Sequence, residues 1–204
     1  MPQEKKIQKL RSSLLRCRRC NRVIPPVVSG LPVVSEIYLL GQAPGPHEGR
    51  IGRPFAYTAG KNMFKWFEQL GVEEEIFRRR VYMAAVLRCF PGKNRTGGDR
   101  VPSKKEIKLC RTWIASEQEL LKPRLIIPVG RLAIEQVMWH RLDKLDTVVG
   151  KLNQSVYFDR KVDWIALPHP SGLSTWYKTE PGKTLLKKAL GKLKQHPSWK
   201  RTFM

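Results

Sequence analysis

Residues 37–45, Ile37-Tyr38-Leu39-Leu40-Gly41-Gln42-Ala43-Pro44-Gly45, decide how this chain folds. Four consecutive apolar residues run straight into glycine and proline, which reads as a buried strand breaking into a tight loop. Met63, Phe64, Phe67 and Leu70 then fall at helical spacing, so a helix is predicted over 59–70. The stretch between, GQAPGPHEGRIGRPFAYTAG at 41–60, is a glycine-rich connection from strand to helix. Ligands of open α/β sheets sit at the carboxyl ends of strands, where such loops gather. The loop lacks the Gly-Lys-Ser/Thr of a P-loop and the G-x-G-x-x-G of a dinucleotide site. By itself it is equally compatible with a plain strand-to-helix connection.

Outward from this segment, strands are predicted at 36–40, 81–87, 124–129 and 163–167, with a further edge strand at 155–158. Helices are predicted at 59–70, 103–121, 130–141 and 181–195. Ser103 followed by Glu106 is a capping-box signature, Pro123 ends that helix, and Gly130 opens the next. Residues 3–16 read as a basic helix with Ile7, Leu10, Leu14 and Leu15 on one side, and 21–35 as an extended Pro- and Val-rich segment. Alternating strands and helices give an α/β fold: one domain over 1–204, a mostly parallel central sheet, helices on both faces, three layers in all. The first 35 residues form an N-terminal helix and metal-binding segment. Leu185, Leu186, Leu190 and Leu193 dock the last helix, and the residues from Pro197 are expected to fray.

The chain has 204 residues, 41% of them hydrophobic, enough for one domain with a sizeable core. Lys and Arg number 39 against 17 Asp and Glu, a formal net charge of +22. A surface that positive repels itself unless a polyanion is its partner, and nucleic acid fits, because phosphate contacts release counterions. General basicity without a specific ligand is the bland alternative. No apolar run is long enough to span a membrane, and the N-terminus lacks the apolar core of a signal peptide. A cytoplasmic, nucleoid-associated location and a reducing compartment are the expectation, so disulfides are not.

Four cysteines then need another explanation. Cys17 and Cys20 form a C-x-x-C pair, Cys89 follows a predicted strand, and Cys110 lies in the next helix. Two thiolates at that spacing reach one metal centre, and two more complete four-fold ligation. Spacing alone leaves zinc and an iron–sulfur cluster both open, and Cys89 and Cys110 could also be small core residues. Arg16, Arg18, Arg19 and Arg88 would offset the thiolate charge. A second loop, Pro168-His169-Pro170-Ser171-Gly172-Leu173-Ser174, ends the apolar run from Val162. His169, fixed between prolines, can donate a hydrogen bond to a developing anion, or it can be merely structural. Leu173 can act as a wedge between bases, or fold back on the core.

GQAPG and GRPF in the first loop, VYMAAVLRC before Cys89, HPSGLS in the second loop, and the cysteine set occur in this order from Cys17 to about Leu193. Together they resemble the uracil-DNA glycosylase superfamily, closest to its iron–sulfur branches, families 4 and 5. The resemblance implies a monofunctional enzyme that flips uracil, or hypoxanthine or xanthine, out of double- or single-stranded DNA and hydrolyses its glycosidic bond, starting base-excision repair as a monomer. The competing reading is a non-catalytic, metal-stabilised DNA- or RNA-binding protein on the same scaffold. By resemblance, Gly41, Gln42 and Ala43 shape the base pocket, Phe55 stacks on the flipped base, and Ala85 and Ser171 border it. His169 would stabilise the anionic base through its carbonyl oxygen, and Leu173 would intercalate. Gln42, His47 or Glu48 would position water. Cys17, Cys20, Cys89 and Cys110 would match the ligands of a [4Fe–4S] cluster. The chain departs from the pattern in three places. Ala43 stands where the most active uracil enzymes carry Asp, Gln42 where family 4 has Glu, and Ala85 where several branches carry a uracil-reading Asn. The alanine at 85 and the histidine at 47 are family 5 features, which implies broader base tolerance.

Overall fold

In the computed structural model of the chain, which describes every residue except Leu173, Ile37–Gly41 forms an interior strand of the sheet. Helix α1 (Gln3–Leu15) precedes the extended segment, then come β1 (Ile37–Gly41), α2 (Pro46–Ile51), α3 (Thr58–Glu68), α4 (Glu74–Arg80) and β2 (Tyr82–Ala85). The chain continues through α5 (Lys104–Leu121), β3 (Leu125–Pro128), α6 (Arg131–Met138), β4 (Asn153–Tyr157), β5 (Arg160–Trp164), α7 (Gly182–Gln195) and α8 (Pro197–Phe203). The strands are ordered β2-β1-β3-β5-β4, all parallel but for the antiparallel β4–β5 pair. Every residue of β1, β2 and β3 is buried, which requires helices on both faces and gives the expected three-layer α/β/α arrangement. After β2 the chain crosses β1 to lay β3 on its other side. Strand order therefore reverses at β1, and a crevice opens beyond the carboxyl ends of the strands there.

A buried ion pair fixes α5 to this sheet. Glu117 of α5 is fully buried and accepts hydrogen bonds from Tyr38 Oη at 2.5 Å, Tyr82 Oη at 2.8 Å and Arg88 Nη2 at 2.5 Å. Arg88 Nε also donates to the Ala85 carbonyl at 2.8 Å. Burial disfavours the Arg88 charge, but Glu117 and the two tyrosines more than offset this and hold the guanidinium charged.

Four features differ from the sequence reading. The 41–60 connection carries a helix of its own: Pro46 sits at its first turn, and Gly52 closes it in the left-handed conformation at φ 74°. Helix α4 was not predicted, because Ile76 and Phe77 are its only apolar residues, too few for periodicity. Its glutamates in the first turn and arginines in the last suit the helix dipole. The last strand starts at Arg160 rather than residue 163, because a hairpin turns at Phe158 and Asp159, both left-handed. Beyond Trp164 only isolated bridges at Ala166 and Leu167 continue it.

The expected fraying from Pro197 is overturned: 197–203 is a docked helix. Pro197 occupies its first turn, and the His196 side chain caps it by accepting from the Ser198 N–H at 3.1 Å. Trp199 is fully buried against Phe67, Phe77 and Phe203, with ring centroids 5.8, 6.2 and 4.6 Å away. The seven-residue helix bearing it is too short to show a periodic signal. Among the described residues no helix is long and apolar enough to cross a membrane. Trp199→Ala is expected to cost about 3–5 kcal/mol in denaturant unfolding, the scale of a buried large-to-small change, whereas the same change in a frayed tail would leave the unfolding midpoint in place.

Candidate active site

A cavity of about 480 Å³ opens at the carboxyl ends of β1 and β2. Its walls come from the 41–59 connection, the end of β2 with the loop at 91–99, and the loop after β5, with Val28 of the N-terminal segment. Gly41, Gln42, Ala43, His47, Phe55, Ala85, His169 and Ser171, singled out from the sequence, all line it. Leu173 lies outside the described residues. The Gly41 and Gln42 carbonyls accept the Val86 and Leu87 N–H groups, so the connection stays paired alongside the chain leaving β2 before it turns away.

Phe55 is held by its backbone. Its φ of 52° is left-handed, a strained conformation for a bulky residue. Arg78, whose side chain is 4% exposed, donates to the Pro54 carbonyl at 2.8 Å and the Phe55 carbonyl at 2.9 Å. Gly60 makes the close approach possible, since a β-carbon there would lie 1.7 Å from the Phe55 carbonyl oxygen. The ring in turn crosses the end of β1, where a β-carbon on Gly41 would meet it at 2.8 Å. Arg78 was not identified from the sequence: within Arg78-Arg79-Arg80 nothing local marks the one arginine that turns inward.

His169 is carried by the loop that follows β5. Leu167 bridges to Val129, and the Gly130 N–H donates to the Leu167 carbonyl at 2.9 Å, so the loop is anchored over the end of β3. Gly130, at φ 84°, packs against the imidazole. Asn62 of α3 donates to the Pro170 carbonyl at 2.9 Å and ties the loop from the other side. The Ser171 N–H faces His169 Nδ1 at 3.3 Å. A backbone N–H only donates, so Nδ1 is the acceptor and the neutral ring carries its proton on Nε2. Burial lowers the His169 pKa below the ordinary 6.5, with the Asp99 charge opposing.

His47 is likewise assigned by its partners. Arg50 Nη2 donates to its Nδ1 at 3.2 Å, and the ring stacks on Tyr57 at 3.9 Å. Nε2–H is therefore a donor, and Nδ1 is not free to take a proton from water. Among the described residues lining the cavity the acids are Glu48 and Asp99. Glu48 is buried, and its Oε2 accepts the Gly45 N–H at 3.0 Å. Asp99 was missed in the sequence. The signal was present in Pro91-Gly92-Lys93-Asn94 and Gly97-Gly98-Asp99, a turn-rich run between strand and helix.

The four cysteines line a second, smaller cavity of about 60 Å³, together with Leu14, Arg18, Arg19 and Arg88. Burial pushes the Cys89 thiol up to about 12 and the Cys110 thiol up to about 11, Arg88 opposing the latter. Among the described residues no three His, Cys, Asp or Glu side chains converge closely enough for a single metal ion. The thiols share a cavity without closing on one point.

A family model described as the uracil DNA glycosylase superfamily matches residues 29–194. The chain is 30% identical over 173 residues to the type-4 uracil-DNA glycosylase of Pyrobaculum aerophilum, covering 82% of this chain and 84% of that protein. It is 28% identical over 170 residues to the type-4 uracil-DNA glycosylase of Archaeoglobus fulgidus, with 78% and 79% covered. The type-5 uracil-DNA glycosylase of Pyrobaculum aerophilum is 27% identical over 155 residues, with 61% and 66% covered.

His169 should titrate with a midpoint below 6.5 in a histidine-resolved NMR titration and be an Nε2–H tautomer at pH 7. The unfolded chain binds this proton more tightly. The contribution of His169 to stability is therefore full above about 6.5 and lost as the pH falls through its native value.

Proposed function

This chain belongs to the uracil DNA glycosylase superfamily, and we propose that it hydrolyses the bond between uracil and deoxyribose in DNA, the first step of base-excision repair. The observation that carries this reading is the convergence of Gln42, Phe55 and His169, from distant parts of the chain, on one cavity at the strand ends. A glycosidic bond inside the stack is out of reach, so the nucleotide is flipped into that cavity, and the basic surface holds the phosphates. Phe55 stacks on the base, a contact worth ~1–3 kcal/mol by analogy with single-strand binders. Its strained, prearranged backbone means the ring is ordered before the base arrives.

As the bond breaks, negative charge collects on the base and positive charge on the sugar. His169 donates from Nε2 to the base carbonyl oxygen, and the neutral ring suffices, since the donor strengthens its bond as charge grows. Ala85 leaves the wall beside the base without a side-chain amide to read uracil, which supports acceptance of hypoxanthine and xanthine as well.

We read the cysteine cavity as the seat of a [4Fe–4S] cluster, with zinc as the alternative. What supports this is that four thiols and flanking arginines border one cavity. Cys17, Cys20, Cys89 and Cys110 would hold the cluster, whose contribution there is structural, cross-linking the N-terminal segment to the strand end and α5. The raised thiol pKa values mean that loading releases protons.

The test is single-turnover base release from duplexes carrying uracil, hypoxanthine, xanthine or thymine, with alkali revealing abasic sites. Release of uracil is expected, and no release from any duplex by folded, cluster-loaded protein would overturn the reading. His169→Ala is expected to lower release by about 10²–10³-fold with DNA affinity retained. A protein that binds damaged DNA without cleaving it would show no such loss.

A further inference from the structure

His169 stabilises the leaving base, but Ala43 offers no carboxylate to the sugar and the water. Asp99 stands in the same cavity, on a hairpin that no part of the preceding mechanism uses. Lys93 and Asp99 bridge across this hairpin, the Asn94 N–H donates to the Gly98 carbonyl at 2.8 Å, and the Arg100 N–H to the Gly92 carbonyl at 2.8 Å. Gly97, at φ 86°, makes the turn. The aspartate is thus placed by backbone pairing, not by a free loop.

Its two oxygens face different ways. Oδ1 accepts from Lys93 Nζ at 2.7 Å. Oδ2 is turned to the Gln42–Gly45 loop, where a β-carbon on Gly45 would lie 3.5 Å from it. Glu48, the other acid of the cavity, reaches the same point over Gly45 but is committed to that residue's N–H at 3.0 Å. Asp99 and His169 line the same cavity, and the Asp99 charge acts on the imidazole across it.

We propose that Asp99, from the 91–100 hairpin, supplies the carboxylate that Ala43 does not: it orients the attacking water and stabilises the cationic sugar. This rests on the glycosylase reading of the cavity. The C1′–N bond breaks with its electron pair leaving on the base, and the water oxygen bonds to C1′. The proton that the water sheds passes to Asp99 Oδ2 and on to solvent, while the base anion takes one from solvent. Lys93 bonds to Oδ1, which leaves Oδ2 to meet the water. The side chain is 43% exposed without DNA, and a duplex seated over the cavity covers it, which strengthens its charge interactions.

Two abasic analogues separate the sugar charge from simple binding: a duplex with a cationic pyrrolidine at the target site, and one with a neutral tetrahydrofuran. The wild-type protein is expected to bind the pyrrolidine duplex more tightly, by about fivefold or more. Asp99→Asn should lose that preference, hold the tetrahydrofuran duplex as before, and release uracil roughly 10²-fold more slowly in single turnover. Lys93→Met breaks the same ion pair and is expected to keep the preference, so an effect through hairpin stability would appear in both variants and would overturn the proposal. It would be overturned equally if Asp99→Asn kept the preference, or if Glu48→Gln removed it while Asp99→Asn did not. A wild-type protein that releases no base would instead defeat the glycosylase reading, and the two analogues would still decide whether Asp99 meets a cationic sugar.

Discussion

The Arg88–Glu117 pair joins the parts on which the rest of the structure depends. Two charges taken out of water cost several kcal/mol each unless every remaining donor and acceptor is used. Here the carboxylate takes three hydrogen bonds, from one arginine and the hydroxyls of the two tyrosines that stack across β1 and β2. The arginine spends Nε on the Ala85 carbonyl at the wall of the large cavity, and it also lines the cysteine cavity next to Cys89. A single rigid unit thus sets the spacing of the strand ends, of α5 and of both sites. Among the described residues Arg88 Nη1 has no hydrogen-bond partner. Such a network stabilises one arrangement only, since removing either charge leaves the other buried alone.

From that frame the large cavity is built mostly by backbone. The left-handed residue at Phe55, the absent side chains at Gly41 and Gly60, and the proline-flanked His169 are all constraints on where main chain can go. Side chains then finish the work by holding carbonyls: Arg78 those of Pro54 and Phe55, Asn62 that of Pro170. A site organised in this way is arranged before its ligand arrives, so less binding energy goes into ordering it. The two histidines follow the same logic. Each has its Nδ1 occupied by an N–H donor, which fixes the tautomer and leaves Nε2–H as the donor.

The centre of the sheet was legible because β1 and β3 are short apolar runs closed by Gly or Pro, and the longer helices because their apolar positions recur at helical spacing. Helices α2, α4 and α8 were not legible, since one or two turns hold too few apolar residues to establish a period. Trp199 illustrates the cost of that limit: a lone tryptophan in a basic tail looks exposed until the aromatic pocket of Phe67, Phe77 and Phe203 is assembled around it. At the candidate site, residues with unusual local sequence, such as Pro168-His169-Pro170 and Gly52-Arg53-Pro54-Phe55, announced themselves. Arg78 and Asp99 did not, because their significance lies in what they reach across the fold.

The sequence by itself determined the α/β class, the two loops that bear the candidate residues, the cysteine set and the family resemblance, because each is carried by local pattern or by motif order. Only the tertiary structure decided which protons the histidines hold, that four cysteines border one cavity, and that a carboxylate from the 91–100 hairpin enters the site where Ala43 offers none. These depend on distances between residues far apart in the chain. Those distances are set by sheet order and by the buried Arg88–Glu117 pair, and neither can be read from neighbours in the sequence.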